Sequence, residues 1–201
     1  DLVRSRGLGD VYKRQVLGES HIFYCKKEQG CRIRSVRLLP EHSKALGAAV
    51  EAIHSADMIV LAPGSLYTSI IPNLLVDGIA DAIRDSKALK LYVCNVMTQE
   101  GETEGYTVSD HIQALFSHSY PGLFRLCLTN STPIPEVIAL RYAQEGAEPI
   151  RHDVEKCRAL GVELIDRPVA ALENGLVRHN PGHLAHELMT IYEEYKPKDP
   201  A

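Results

Sequence analysis

Residues 56–75, ADMIVLAPGSLYTSIIPNLL, decide how the rest of the chain is read. Residues 58–61 form a continuous apolar run of strand length, ended by Pro63, Gly64 and Ser65. A run that is apolar at every position suits a parallel strand covered on both faces. A row of hydroxyls follows at the strand's exit: Ser65, Tyr67, Thr68 and Ser69. Val76, Ile79, Ala80 and Ile83 then keep helical spacing. The segment reads as strand, hydroxyl loop, helix.

Two more units repeat this order. Residues 91–94 are a second buried strand, followed by the long polar loop NVMTQEGETEGYTVSD, where Thr107 or Ser109 can cap a helix carrying Ile112, Leu115 and Phe116. Residues 123–128 are a third, leading through TNSTPIPE to a helix with Pro135 at its first turn and Gly146 just past its end. Three such units in succession imply right-handed crossovers and a parallel sheet. Their loops then open together beyond the carboxyl ends of the strands, where open α/β sheets bind ligands.

The flanking segments complete one domain over residues 16–196. HIFYCKKEQGCRIRSVRLLP, residues 21–40, reads as two short strands around a turn at 28–30, ended by Pro40. Residues 42–55 read as a helix with Ala45, Ala49, Ala52 and Ile53 on one face. A short helix runs from about Asp153 to Gly161, and VELIDRP and ALENGLV read as edge strands. The last helix presents Leu184, Leu188, Ile191, Tyr192 and Tyr195 on one stripe, before a polar tail at 197–201. Residues 1–15, DLVRSRGLGDVYKRQ, have no hydrophobic period. DVYKRQ looks like the translation of a library adaptor, so these residues are read as a foreign leader, with the natural protein continuing upstream of Val16.

Composition narrows the function. The chain has 201 residues, 45% of them hydrophobic and 24% charged, enough for one good core. A net charge of -4 without a basic run argues against a nucleic-acid binder. No apolar run approaches the roughly 20 residues that a membrane helix needs. The five cysteines are odd in number and scattered. Cys94 and Cys127 read as small core residues, Cys25 and Cys31 flank a turn, and a reduced cytoplasmic protein is expected.

Pooled, the three loops offer glycine, hydroxyls and amides, which suit phosphates and sugar hydroxyls. Gly64 would let the backbone approach a phosphate, and Ser65 would sit near a helix N-terminus, where an anion is favoured. Taken alone, the pair also reads as a tight turn with an N-cap serine. The P-loop, the dinucleotide-binding glycine fingerprint and the nucleophile elbow are absent from the sequence. His183 and His186 are three apart on the last helix without an evident third ligand, and read as surface histidines. Glu100, Glu102 and Glu104 alternate in a loop and read as solvated. Asp110 and His111 read as a charged helix start and a partly exposed ring rather than a dyad. No catalytic or metal residue is assigned.

With APGSLYTS, NVMTQEGETEGYTVSDH and RYAQEGAEP in this order, the chain resembles the YvcK-type proteins, the gluconeogenesis factor group, over residues 17–195. That group is related to the CofD-like 2-phospho-L-lactate transferases. The resemblance implies a Rossmann-like, three-layer α/β fold with a mainly parallel sheet, here without its N-terminal strand-helix units. It implies a cytoplasmic regulatory protein that binds a UDP-sugar, chiefly UDP-N-acetylglucosamine, and serves bacterial cell-envelope precursor supply and carbon metabolism. The alternative it carries is a transferase of coenzyme F420 synthesis, or an inactive fragment. It implies ligand contacts from Gly64, Ser65, Tyr67 and Thr68, from Asn95 and Thr98, and from Asn130. Tyr142 and Arg178 are linked to the nucleotide sugar, although Tyr142 also reads as a ring over the core and Arg178 as a surface arginine. No cofactor is required in the regulatory reading, and Mg belongs to full-length transferase relatives. A homo-oligomer and regulatory protein partners are expected. Family members begin with a GGGTG-type loop and a DDGGSSGRLR-like segment, and neither stands in this sequence.

Overall fold

In a computed structural model, which describes residues 2–3, 16–18, 21–22 and 32–196, a four-stranded parallel sheet carries the fold. Its strands are β3 (Met58–Leu61), β4 (Leu89–Val93), β5 (Leu126–Asn130) and β6 (Glu163–Arg167), in the order β3-β4-β5-β6. The register pairs Met58 with Leu89, Leu91 with Leu126, and Leu126 with Glu163. All carboxyl ends therefore meet at one edge. A two-residue antiparallel ladder, β1 (Leu2–Val3) with β2 (Val16–Leu17), stands apart from this sheet. The expected turn at 28–30, and with it Cys25 and Cys31, lies outside the described residues.

Side chains alternate between the two sheet faces, as the strand period requires. Leu91, Val93, Leu126, Leu128 and Ile165 face α7 (Pro181–Tyr195), which covers them with Ile191 and the partly buried Leu184, Leu188 and Tyr195. Tyr92, Cys94 and Cys127 face the other way, into a larger cluster with Leu66, Ile71, Ile112, Leu115 and Phe124. The helices of that layer are α1 (Gly47–Ser55), α2 (Ile71–Leu74), α3 (Ile79–Asp85), α4 (Val108–Ser117) and α6 (Val154–Ala159). The fold is thus helix, sheet, helix: a Rossmann-like three-layer α/β arrangement. Cys94, Cys127 and Cys157 are all buried free thiols. Burial, with Asp153 beside it, pushes the Cys157 thiol up to about 12.

Several expectations need correction. β3 is the outermost strand of the described sheet, and only Leu61 of its four residues is buried, so it is not covered on both faces. The first long helix starts at Gly47 rather than at residue 42. Ala45 N–H donates to Asp77 O (3.0 Å) and Asp77 N–H to Ser43 O (2.9 Å), which holds that segment in a bridge and leaves Leu46 extended. No residue of α1 is buried, and Ala52 is exposed. Residues 32–36 form no strand, and His21 and Ile22 are helical, following a turn in which His21 N–H donates to Gly18 O (3.1 Å) with Gly18 at φ 93°. Leu66–Ile70 is a π-helical turn running straight into α2, so Tyr67, Thr68 and Ser69 lie on a helix rather than in a loop. Val76 falls in the turn before α3.

ALENGLV is a hairpin rather than one strand. β7 (Ala170–Glu173) pairs antiparallel with β8 (Leu176–His179) around Asn174 and Gly175, both at positive φ (50° and 75°). An Asn-Gly pair at positive φ favours such two-residue connections. The hairpin packs with α5 (Glu136–Gln144) in a third cluster, in which Val96, Ala170 and Val177 are buried against Met97, Ile134, Ile138 and Tyr142. That cluster closes the carboxyl edge of the sheet from the side.

Candidate ligand cleft

A cleft of about 490 Å3 opens at this edge, where four chain segments meet. Pro63, Gly64 and Ser65 follow β3; Asn95, Val96, Met97, Thr98 and Gln99 follow β4; Tyr142 comes from α5; and residues 176–179 are β8. An adjoining cavity of about 360 Å3 shares Asn95 and Val96 and reaches Asn130, Ile134 and His152. At its rim, His152 Nδ1 lies 3.0 Å from Asp166 Oδ1, and Asp166 also accepts the Thr129 hydroxyl.

The loops are held by each other's polar groups. Gly64 N–H donates to Asn95 Oδ1 (3.2 Å), and Asn95 Nδ2 donates back to Gly64 O (2.8 Å). Ser65 Oγ donates to Gln99 Oε1 (2.8 Å). Thr98 N–H donates to Glu148 O and Glu148 N–H to Thr98 Oγ1, both at 2.8 Å. Asn130 Oδ1 accepts from Thr132 N–H (3.1 Å) and Ala170 N–H (2.9 Å), which ties the β5 loop to the hairpin. Tyr142 Oη accepts from Val177 N–H (2.9 Å). Its hydroxyl fixes β8, and the residue walls the cleft.

Of the residues expected at the site, the structure brings together Gly64, Ser65, Asn95, Thr98, Tyr142 and Arg178 around the cleft, with Asn130 in the adjoining cavity. Tyr67 and Thr68 are not among the lining residues. Tyr67 is buried, 4% exposed, with its hydroxyl 2.8 Å from that of Tyr106. Burial, then the Tyr106 contact, raises its pKa well above the usual tyrosine value. Thr68 Oγ1 donates to Glu102 Oε1 (2.7 Å) and Tyr67 N–H to Glu102 Oε2 (3.2 Å). Glu102 is 3% exposed, which corrects its reading as solvated. The acceptor at the start of the helical turn after Ser65 is therefore the protein's own carboxyl group. Only two helix positions separate these groups from the cleft, but they turn inward.

The loop after β4 is likewise not a solvent loop: Thr98, Thr103 and Thr107 are buried with Glu102. Thr107 N–H donates to Asp110 (2.8 Å) in the expected cap of α4. His111 is wholly buried rather than partly exposed; burial lowers its pKa, against the Thr107 backbone. His183 and His186 are exposed on α7. No group of three or more His, Cys, Asp or Glu among the described residues is arranged to hold a metal ion.

The sequence reading missed His179. It stands next to Arg178 on β8 and lines the same cleft, and the register Ala170↔His179 would have found it once the hairpin was recognised.

The sequence profile of the family described as 2-phospho-L-lactate transferase CofD matches residues 9–170. The chain belongs to the CofD family. Within it, this CofD-family chain is similar to proteins named gluconeogenesis factor, the YvcK-type group. It is 44% identical to that of Halalkalibacterium halodurans over 174 residues, covering 87% of this chain and 53% of the relative. It is 41% identical to that of Bacillus subtilis over 181 residues, covering 90% of this chain and 56% of the relative. A crystal structure of a Bacillus halodurans protein, described as a member of the UPF0052 family, superposes with a TM-score of 0.82 at 44% identity, covering 88% of this chain and 56% of that one. The chain spans about half the length of the curated relatives it matches. No helix among the described residues of this CofD-family chain is long and apolar enough to cross a membrane.

Proposed function

We propose that the cleft binds a nucleotide sugar, with UDP-N-acetylglucosamine the first candidate, and that the chain serves as a regulatory binding protein rather than a catalyst. The observation that carries this reading is the make-up of the cleft. Arg178 lines the cleft together with the hydroxyl and amide residues Ser65, Asn95, Thr98 and Gln99 and with apolar residues that include Val96 and Met97. A diphosphate takes one fixed, planar cation well, and sugar hydroxyls take amides and hydroxyls. The volume is of the size small-molecule sites have. The relatives' shared name, gluconeogenesis factor, supports a role in carbon metabolism. The link to cell-envelope precursor supply and a cytoplasmic place are part of the same proposal.

A second reading is favoured by the family's description as a 2-phospho-L-lactate transferase. In it, the cleft holds a nucleotide-linked phospholactyl donor and a deazaflavin acceptor. Thermal shift and calorimetry on the 201-residue chain, with the full-length Halalkalibacterium halodurans relative in parallel, separate the two. UDP-N-acetylglucosamine is expected to raise the melting temperature while GDP and a deazaflavin do not; the reverse pattern establishes the transferase reading. Arg178→Ala should weaken UDP-N-acetylglucosamine by about 10- to 100-fold, the range for losing a charge-assisted hydrogen bond. Because Arg178 is exposed, its loss should leave the unliganded melting temperature unchanged.

A further inference from the structure

The side-chain amide of Gln99 is engaged at one end only. Its Oε1 accepts the Ser65 hydroxyl (2.8 Å), while Nε2 makes no hydrogen bond among the described residues. Nε2 is also open to solvent. Gln99 is half-buried, and the solvent-excluded side-chain atoms without a partner are Tyr92 Oη, His111 Nε2 and His179 Nε2, all on other residues. Gln99 and Ser65 both line the cleft, one from the loop after β4 and one from the loop after β3, so the amide bridges two of its walls.

The rest of the residue is fully used. Gln99 N–H donates to Thr103 Oγ1 (2.9 Å), and Gln99 O accepts Thr103 N–H (2.9 Å) and Glu102 N–H (3.2 Å). Thr103 is buried, so the backbone that carries the amide is anchored in the core. Ser65 fixes the head: with Oε1 turned to its hydroxyl, the two N–H groups of the planar amide turn away from it. Asn95, another amide of the cleft, spends both its ends on Gly64. A side chain that is already ordered gives up little freedom when a ligand arrives. An amide nitrogen donates and does not accept, so the partner it fits is an oxygen with a lone pair to offer.

Resting on the nucleotide-sugar reading, we propose that Gln99 Nε2 donates to an acceptor oxygen of the bound ligand, carbonyl or phosphoryl, and that Ser65 is the positioning residue that orients it. Arg178 brings charge to the site; Gln99 brings a neutral donor of fixed direction. Ser65 then acts through Gln99, since its own proton is already given to Oε1.

The test measures Kd for UDP-N-acetylglucosamine, UDP-glucose and inorganic pyrophosphate, with unliganded melting temperatures, in the 201-residue chain and its variants. Gln99→Glu keeps an acceptor for the Ser65 hydroxyl and removes the donor. Gln99→Met keeps the length with neither donor nor charge. Both should raise the UDP-N-acetylglucosamine Kd by about 10-fold, the worth of one neutral hydrogen bond, and Gln99→Glu should leave the melting temperature unchanged. A loss confined to UDP-N-acetylglucosamine assigns the contact to the acetamido carbonyl. A loss shared with UDP-glucose assigns it to a base carbonyl, and one shared with pyrophosphate as well assigns it to a phosphoryl oxygen. Ser65→Ala should weaken binding less, and should add nothing in the Gln99→Met background; a full further loss there overturns the positioning role.

Wild-type affinity in Gln99→Glu overturns the inference. Weakening in Gln99→Glu alone that disappears at high salt also overturns it, because that is repulsion of a diphosphate by the new carboxylate. Weakening in Gln99→Met alone, with a lowered melting temperature, overturns it by assigning Gln99 to holding the loops together. If Gln99→Met does not fold, Gln99→Glu at high salt carries the test. A wild-type chain that binds neither UDP-sugar brings down the nucleotide-sugar reading and this inference with it, whereas binding that both Gln99 variants leave unchanged brings down this inference alone.

Discussion

Glu102 shows how a single side chain can look one way in sequence and act another way in the fold. Three acidic residues alternate along one loop, a pattern usual for solvated chain, yet Glu102 turns inward and takes Tyr67 N–H and the Thr68 hydroxyl. Alternation along a loop carries no burial signal because loops lack a fixed period. The pairing also joins residues 34 and 35 apart in sequence, which local reading cannot see. Glu102→Ala would leave the buried Tyr67 N–H and the part-buried Thr68 hydroxyl without their acceptor, and should cost about 2–3 kcal/mol in urea unfolding. Glu102→Gln, which keeps one carbonyl acceptor, should cost less than half of that. Equal stability of all three proteins would show that the contact contributes nothing. Gly64, Ser65 and Asn95 can be placed at the carboxyl edge from sequence because they follow strands that apolar runs mark. Tyr67 and Thr68 shared the same hydroxyl-rich string, but the π-helical turn rotates them away.

At the scale of elements, Asp153 joins two helix starts. Its carboxylate accepts Ser109 N–H (2.9 Å), Ser109 Oγ–H (2.5 Å) and Thr107 Oγ1–H (2.8 Å) at the start of α4, while its backbone stands at the N-cap position of α6. Burial alone would raise its pKa; the Ser109 and Thr107 donors outweigh it and hold the carboxyl below the usual aspartate value. A depressed folded pKa gives stability that is fully present above the unfolded value, about 3.9, and is lost as pH falls through the folded pKa. Asp153→Asn should therefore flatten the loss of stability below about pH 4, measured by urea midpoints across pH. A slope equal to wild type would mean the cluster is not charged when folded. The helix boundaries at Pro135, Gly146, Asp153 and Gly161 could be read from sequence because capping chemistry is local. The β7–β8 hairpin also has its local sign, Asn174-Gly175, but the seven-residue string ALENGLV reads equally as one strand, which hides β8 and its last residue, His179.

For the whole molecule, the parallel sheet and its one-edged loops followed from three repeated units, since strand order and direction are fixed once crossovers are required. What did not follow was depth. An apolar run looks the same in a central strand and at an edge, so β3 read as covered although three of its four residues are only half-buried. Packing partners, not composition, decide that difference. Cys94, just after β4, and Cys127 on β5 turn inward at the central strand pair, and α6 adds Cys157, all three free and buried. In a Cys25→Ser/Cys31→Ser background, these three thiols should react with a labelling reagent no faster than the molecule opens. The rate should track the unfolding free energy as urea is raised. Labelling much faster than global opening would reveal a looser core than the packing implies.

The three sulfurs have a practical meaning beyond packing. Cys94 and Cys127 report on the sheet and Cys157 on the helix layer beneath it, so the molecule contains its own stopwatch for the order in which its layers come apart. Adding a ligand at the cleft, which borders Cys94 through Asn95, would slow the sheet's hands first if binding clamps that edge.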